Sequence, residues 1–317
     1  MVHLAWNAVR ASFRLDATLY GRPLMCDLQA RAAADLGNAY RVANVPQSAE
    51  RALQNARRLF EQGTGDPLLE VRLLDFEASL LAQIRHFVPA TQKLLKMLTF
   101  HEKQGDRHLI GRTLVKLGLF AGYDGNCELA LQWLEQSLEL IDEKRDPGLA
   151  CAAAHNLILF LVDSGRIAQG KKLRLVHSRR LIRSGGRITQ LKFRDLDGRI
   201  AYGEGNHLRA EAIFREVRAG FIETGLPILA GISMINLTAA LLAQGKAREA
   251  ERTVTQASRL FVELGLQREA LQAVILLRDS FRMRAATLAM VKEVSDFLRR
   301  VMWDPGLRFE AWSWEKE

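Results

Sequence analysis

A chain of 317 residues with 48% hydrophobic and 26% charged residues excludes a disordered polymer, a collagen-like fibre and a small disulfide-stapled scaffold. Its formal net charge of +9 invites a nucleic-acid reading, but the charge is local. Residues 164–194 hold Arg166, Lys171, Lys172, Arg174, Arg179, Arg180, Arg183, Arg187, Lys192 and Arg194 and no acid, which leaves 35 basic against 36 acidic side chains in the rest of the chain.

Taken in chain order, residues 1–23 begin with one apolar helix (Leu4, Trp6, Val9, Phe13) that lacks an evident partner, so they read as a remnant of a preceding repeat or a surface for self-association. From there a 40-residue period governs. Gly125, Gly165, Gly205 and Gly245 form one ladder; Gly65, Gly105, Gly185, Gly225 and Gly265 form a second, with Arg145 in the vacancy. Five residues after the first ladder stands a small residue (Ala130, Gly170, Ala210, Ala250), and Ala90 follows Arg85 in the same way. Four residues further on the side chain is large and apolar (Leu94, Leu134, Phe214, Val254), except at Arg174, which reads as a buried misfit or a functional surface arginine. Apolar spacings of three, four and seven between the ladders are helical. The glycines suit left-handed helix ends, and Pro147 and Pro227 suit the first turn of the next helix.

This arithmetic predicts seven helical hairpins over residues 24–300, at 24–62, 67–103, 106–143, 147–184, 187–224, 227–264 and 267–300, in one continuous solenoid domain. The last carries Met290 at the small position and reads as a capping unit. Residues 301–317 form an aromatic tail (Trp303, Asp304, Pro305, Leu307, Phe309, Trp312, Trp314), in which Trp303 and Phe309 either fold back over the last hairpin or belong to a docking peptide. Gly225 to Gly245 contains no formal charge and is long enough to cross a bilayer. Its Pro227, Ser233, Asn236, Thr238 and Gln244, and its register with the repeat, argue for a buried helix instead.

Leu117-Gly118, Gly125, Ala130 and Leu134, and again Leu36-Gly37, Tyr40, Ala49 and Leu53, resemble the tetratricopeptide-repeat family. The long period is similar to arrays in bacterial signalling and transcription regulators. The resemblance covers residues 24–300 and implies an all-α, right-handed superhelical solenoid of antiparallel hairpins whose first helices line a concave groove. It also implies a non-enzymatic scaffold or sensor that binds a protein or peptide in the bacterial cytoplasm.

Carried over position by position, the resemblance places Arg72, Asp75, Arg112, Lys116, His155, Asn156, Lys192, Asp195, Arg199 and Asn236 in the groove. Asn156 and Asn236 either hydrogen-bond a bound peptide's backbone, since an amide offers both donor and acceptor, or satisfy a helix seam. The family's carboxylate clamp is matched only at Asn156 and Lys192, because Val115, Leu119 and Leu196 are apolar where the clamp is polar. A groove with Lys116, His155, Lys192 and Arg199 favours an acidic or phosphorylated ligand.

Arg166, Lys171, Lys172, Arg174, Arg179, Arg180, Arg183 and Arg187 map to the outer, second helix of the fourth hairpin and its exit turn. They read as a solvated face, a dock for an acidic protein, or, as the alternative function, a nucleic-acid contact. The window has no aromatic before Phe193 to stack a base, which disfavours the last.

No GxSxG, phosphate-loop or HExxH pattern occurs. The histidines have no ligand spacing, and Cys26, Cys127 and Cys151 have neither zinc nor disulfide spacing. The sequence therefore assigns no catalytic residue, metal or cofactor, no membrane partner, and a reducing, cytoplasmic setting.

Overall fold

The computed structural model describes residues 1–14, 20–178, 186–265, 268–282, 284–301 and Phe309. Arg179, Arg180, Arg183, Gly185, Trp303, Asp304, Pro305, Leu307, Trp312 and Trp314 lie outside the described residues. The chain divides into two compact units, Met1–Asp124 and Gly125–Glu317, and all the secondary structure described in both is helical.

In the first unit, α1 (Val2–Ser12) precedes α2 (Arg22–Val42), α3 (Pro46–Phe60), α4 (Pro67–Gln83), α5 (Phe87–Gln104) and α6 (Arg107–Tyr123). Each helix from α2 to α5 packs on its successor, and α2 also packs on α4. Ala30, Ala33, Leu53, Leu69 and Leu73 form the core between them. Helix α1 has a partner after all: it lies on α2, with the Trp6 indole donating to the Tyr40 hydroxyl at 2.6 Å. Leu4 and Phe13 remain exposed.

The second unit contains α7 (Cys127–Leu140), α8 (Pro147–Asp163), α9 (Ile167–Val176), α10 (Arg187–Gly203), α11 (His207–Glu223), α12 (Pro227–Ala243), α13 (Ala247–Glu263), α14 (Arg268–Arg282) and α15 (Leu288–Val301). Helix starts are set by local chemistry. Asp146 caps α8 by accepting from Leu149 N at 2.9 Å, Asn206 caps α11 by accepting from Arg209 N at 3.1 Å, and Pro147 and Pro227 occupy first turns.

Helix ends follow the ladders, since every described ladder glycine has a positive φ, between 62° and 93°. Arg85, one period upstream of Gly125 in the first ladder's register, adopts the same left-handed geometry at φ 60°. At Arg85 the turn is imposed by the stack rather than by the residue that occupies it, whereas Arg145, in the vacancy of the second ladder, does not have positive φ.

Close hairpin packing comes from small residues opposed to large ones. Ala90, Ala130, Ala210 and Ala250 are completely buried. A Cβ on Gly198 would come within 2.6 Å of the Phe214 ring, and one on Gly231 within 2.3 Å of Phe261.

The last hairpin departs from the expected cap. Helix α14 packs on α13, but α15 turns onto α12 as well as α14. Val291, Val294, Leu298 and Val301 on α15 are buried to 1% exposure or less. Consequently α12 is enclosed on every side, and Ala230 to Thr238 are all buried. This accounts for the uncharged stretch around it, and no described helix is long and apolar enough to cross a membrane. Phe309 is buried and meets Phe297 edge-on at 5.0 Å.

Candidate functional site

The first helices of successive hairpins present a polar face in each unit. In Met1–Asp124, Arg72 donates to Asp35 at 2.5 Å, joining α4 to α2, and its guanidinium lies over Phe76. Asp75 receives the ammonium of Lys116, which ties α4 to α6, and Ser79 stands 3.3 Å from the same ammonium. Arg112 is exposed. Thus Arg72, Asp75 and Lys116 already serve as struts between repeats. Val115 is buried here, as Leu196 is in the second unit, so the apolar departures from a carboxylate clamp are packing residues.

In Gly125–Glu317, α8 contributes His155 and Asn156. The imidazole lies edge-on to Phe193 at 5.4 Å and 3.4 Å from the Asn156 side-chain oxygen. Burial, ahead of the opposing help from Asn156, pushes its pKa down to about 4. At neutral pH this is an uncharged hydrogen-bonding group, not a cation. Lys192 on α10 is exposed, and the acids next to it are committed elsewhere. Asp195 accepts from Arg199 at 2.7 Å and stands 3.4 Å from the Ser233 hydroxyl of α12, while Arg199 reaches Asp163 at 3.5 Å. Burial would discharge Arg199, but Asp195 and Asp163 outweigh it and hold the guanidinium charged.

The structure therefore brings His155, Asn156, Lys192, Asp195 and Arg199 onto one face of α8 and α10. Asn236, on α12, is not open to solvent: it is 9% exposed, and its oxygen accepts from Ser295 of α15 at 2.8 Å. Its amide nitrogen is buried without an acceptor. Sequence reasoning missed the contribution of α15 altogether. Arg299 on that helix reaches Asp163 at 3.2 Å and also pairs with Asp296. Burial raises the Asp163 pKa against the charges of Arg199 and Lys292. Burial and the neighbouring Asp163 raise that of Asp296 to about 6. The only advance signal was the absence of charge around α12.

Among the described residues of the basic window, five cations are paired with acids. Arg166 pairs with Glu128, Lys171 with Glu204 at 2.5 Å, Arg194 with Glu216 at 2.8 Å, and Arg187 approaches Glu223 at 3.8 Å. Lys172 is exposed. Arg174 stacks over Phe193 at 5.4 Å, and its Nε lies 2.8 Å from an Asp197 oxygen, with side chains only 18% and 20% exposed. Replacing it with leucine removes a mostly buried counter-charge and leaves Asp197 with Arg194 at 3.9 Å. We expect Arg174→Leu to destabilise the protein by about 1–2 kcal/mol in urea unfolding; a gain in stability would mean that the arginine is the misfit its repeat position suggests.

Among the described residues, no group of three or more His, Cys, Asp or Glu side chains could hold a metal ion. No family model matches the sequence, and no curated protein matches it. Solved structures do. A Rap protein complexed with competence and sporulation factor superposes with a TM-score of 0.69 at 14% identity, covering 95% of this chain and 86% of that one. The chain has the tetratricopeptide-like helical-repeat fold. The apo form of RapI is also similar, with a TM-score of 0.60 at 10% identity over 94% of this chain and 85% of that one. At such identities the likeness carries the tetratricopeptide-like architecture and no residue of the site.

Proposed function

We propose that this protein is a non-catalytic regulatory module of the bacterial cytoplasm whose second unit binds a peptide or protein segment along the first helices of its repeats. The observation that carries the reading is the α8–α10 face. It combines a neutral imidazole (His155), an amide (Asn156) and an exposed Lys192 that has no acidic partner among the described residues. Such a set can hydrogen-bond a peptide backbone and meet one negative charge. The Rap protein captured with competence and sporulation factor supports the binding of a partner by this architecture, by analogy of fold. The other groove positions, Arg72, Asp75, Arg112 and Lys116, belong to the first unit, where Arg72, Asp75 and Lys116 are engaged as struts between repeats.

A random peptide library selected on the immobilised protein tests this. The expected outcome is a set of peptides enriched in acidic residues, whose affinity falls about tenfold with Asn156→Ala and again with Lys192→Ala while helicity is unchanged. Failure to enrich any sequence, or affinity indifferent to both substitutions, would overturn it. The basic window offers a second reading, contact with nucleic acid, but among its described residues Arg166, Lys171, Arg174, Arg187 and Arg194 are already paired with acids, which reduces the charge they can offer to release counterions. Tight duplex binding at about 0.15 M salt with a steep salt slope would reverse this preference.

A further inference from the structure

Helix α15 lies on a surface that the repeat pattern would otherwise leave open. On α10 that surface carries Lys192, Asp195, Leu196 and Arg199; forty residues on, α12 presents Ile232, Ile235, Asn236 and Ala239. An apolar face of this kind cannot stand in water beside a charged one without a cover. The cover is α15, which packs on α12 and buries Val291, Val294, Leu298 and Val301, spaced as a single helical stripe.

The apolar half of this seam is complete, and the polar half is not. Ser295 donates to the Asn236 oxygen at 2.8 Å, but a hydroxyl committed in this way leaves the Asn236 amide nitrogen buried and without an acceptor. Asp296 stands near Asp163, acid beside acid, with Arg199 and Arg299 between them. The link to α14 includes Arg284, a non-glycine residue at φ 59°, a conformation that costs free energy.

We propose that α15 is a resident occupant of a helix-binding groove on α12, and that a partner's amphipathic helix can replace it. The partner fitted to the groove has apolar residues at the spacing of Val291, Val294, Leu298 and Val301, an amide side chain in place of Ser295 to satisfy both ends of Asn236, and no acid in place of Asp296. Apolar anchors at these intervals are how helices dock into grooves, and the unsatisfied polar end is where a better ligand gains over α15. This rests on the reading that the second unit binds a protein segment, and it adds where a helical ligand sits and what displaces for it.

The test uses labelled synthetic peptides spanning residues 288–301 and the full chain. Val294→Asp in the chain is expected to release its own α15, so that the peptide of native sequence binds this variant. A peptide carrying Ser295→Asn and Asp296→Ala is expected to bind it at least tenfold more tightly. With the unaltered chain, excess of the altered peptide is expected to strip hydrogen-exchange protection from 288–301 while 227–263 stay protected. The proposal is overturned if neither peptide binds a folded Val294→Asp chain. Should that variant not fold, native-state exchange of the unaltered chain decides: opening of 288–301 separately from α12 supports the proposal, and exchange only in the same step as α12 overturns it. No natural partner enters this assay, so its failure leaves the α8–α10 face untouched, and failure of the library selection leaves this groove untouched.

Discussion

Phe214→Ala is expected to cost about 3–5 kcal/mol, the largest effect of any single truncation considered. Phe214 is 1% exposed and fills the space that Gly198 leaves open on α10. The surrounding hairpins are held by their own struts and can close only part of the void. The pairing gives the prediction a sharper form. In the unaltered protein a methyl at Gly198 would meet the Phe214 ring at 2.6 Å, so Gly198→Ala should destabilise by roughly 1–2 kcal/mol despite its better helix propensity. In the Phe214→Ala background the same methyl enters the void and should recover about 1 kcal/mol. Urea midpoints at constant m-value measure all four corners of the cycle. Additive effects would show that the two positions do not share a space.

The second large effect is expected from Arg199→Ala, at about 3 kcal/mol near neutral pH. Its side chain is 11% exposed and joins Asp195, itself 14% exposed, to Asp163. Removal leaves two carboxylates with reduced compensation, and Asp163 already has its pKa raised by burial. For a carboxyl whose folded pKa lies above its unfolded value, the stability contribution is complete below the unfolded value and is lost as pH rises through the folded one. The deficit of Arg199→Ala should therefore be largest near neutral pH and shrink on acidification. The unaltered protein should show a smaller trend of the same sign from Asp296, which loses its contribution as pH rises from near 4 through about 6. His155 opposes it over part of that range: its lowered pKa gives stability that is present above about 6.5 and is lost as pH falls toward 4. Thermal midpoints taken at half-unit intervals for both chains separate these contributions. A deficit that does not change on acidification would remove Asp163 from the explanation.

The helical hairpins were legible because their marks are local: a glycine or proline at a fixed interval, and a small residue one turn and a half later. Gly165, Gly205 and Gly245 have the left-handed φ that the ladder demanded, and Ala130, Ala210 and Ala250 are buried as the spacing required. Arg174 was not legible. Its repeat position asks for an apolar residue, and only the fold reveals that Asp197 and Phe193 receive it. The same holds for the basic window, whose acids come from Glu128, Glu204, Glu216 and Glu223, outside the stretch that was counted. Where neighbouring helices supply partners in this way, as for Arg166, Lys171, Arg187 and Arg194, a run of like charge in sequence is not a run of free charge. Asn236 was placed on the correct helix, but α15 could not be seen to cover it, because the spacing within 288–301 is equally that of an ordinary second helix.

The struts between repeats bear on how such an array can change over time. Lys116 meets Asp75 of the repeat before it, and Arg199 likewise meets Asp163, so each hairpin carries one half of a charge pair whose other half belongs to its neighbour. Excising one 40-residue period, for example 187–226, would keep the ladders in step and still bring α8 against α12, which has Ala239 where Arg199 stood. Asp163 would then lose one of its two ion-pair partners. The 40-residue spacing thus permits growth and loss of repeats in arithmetic, while the charges on successive hairpins restrict it to exchanges that keep neighbours matched.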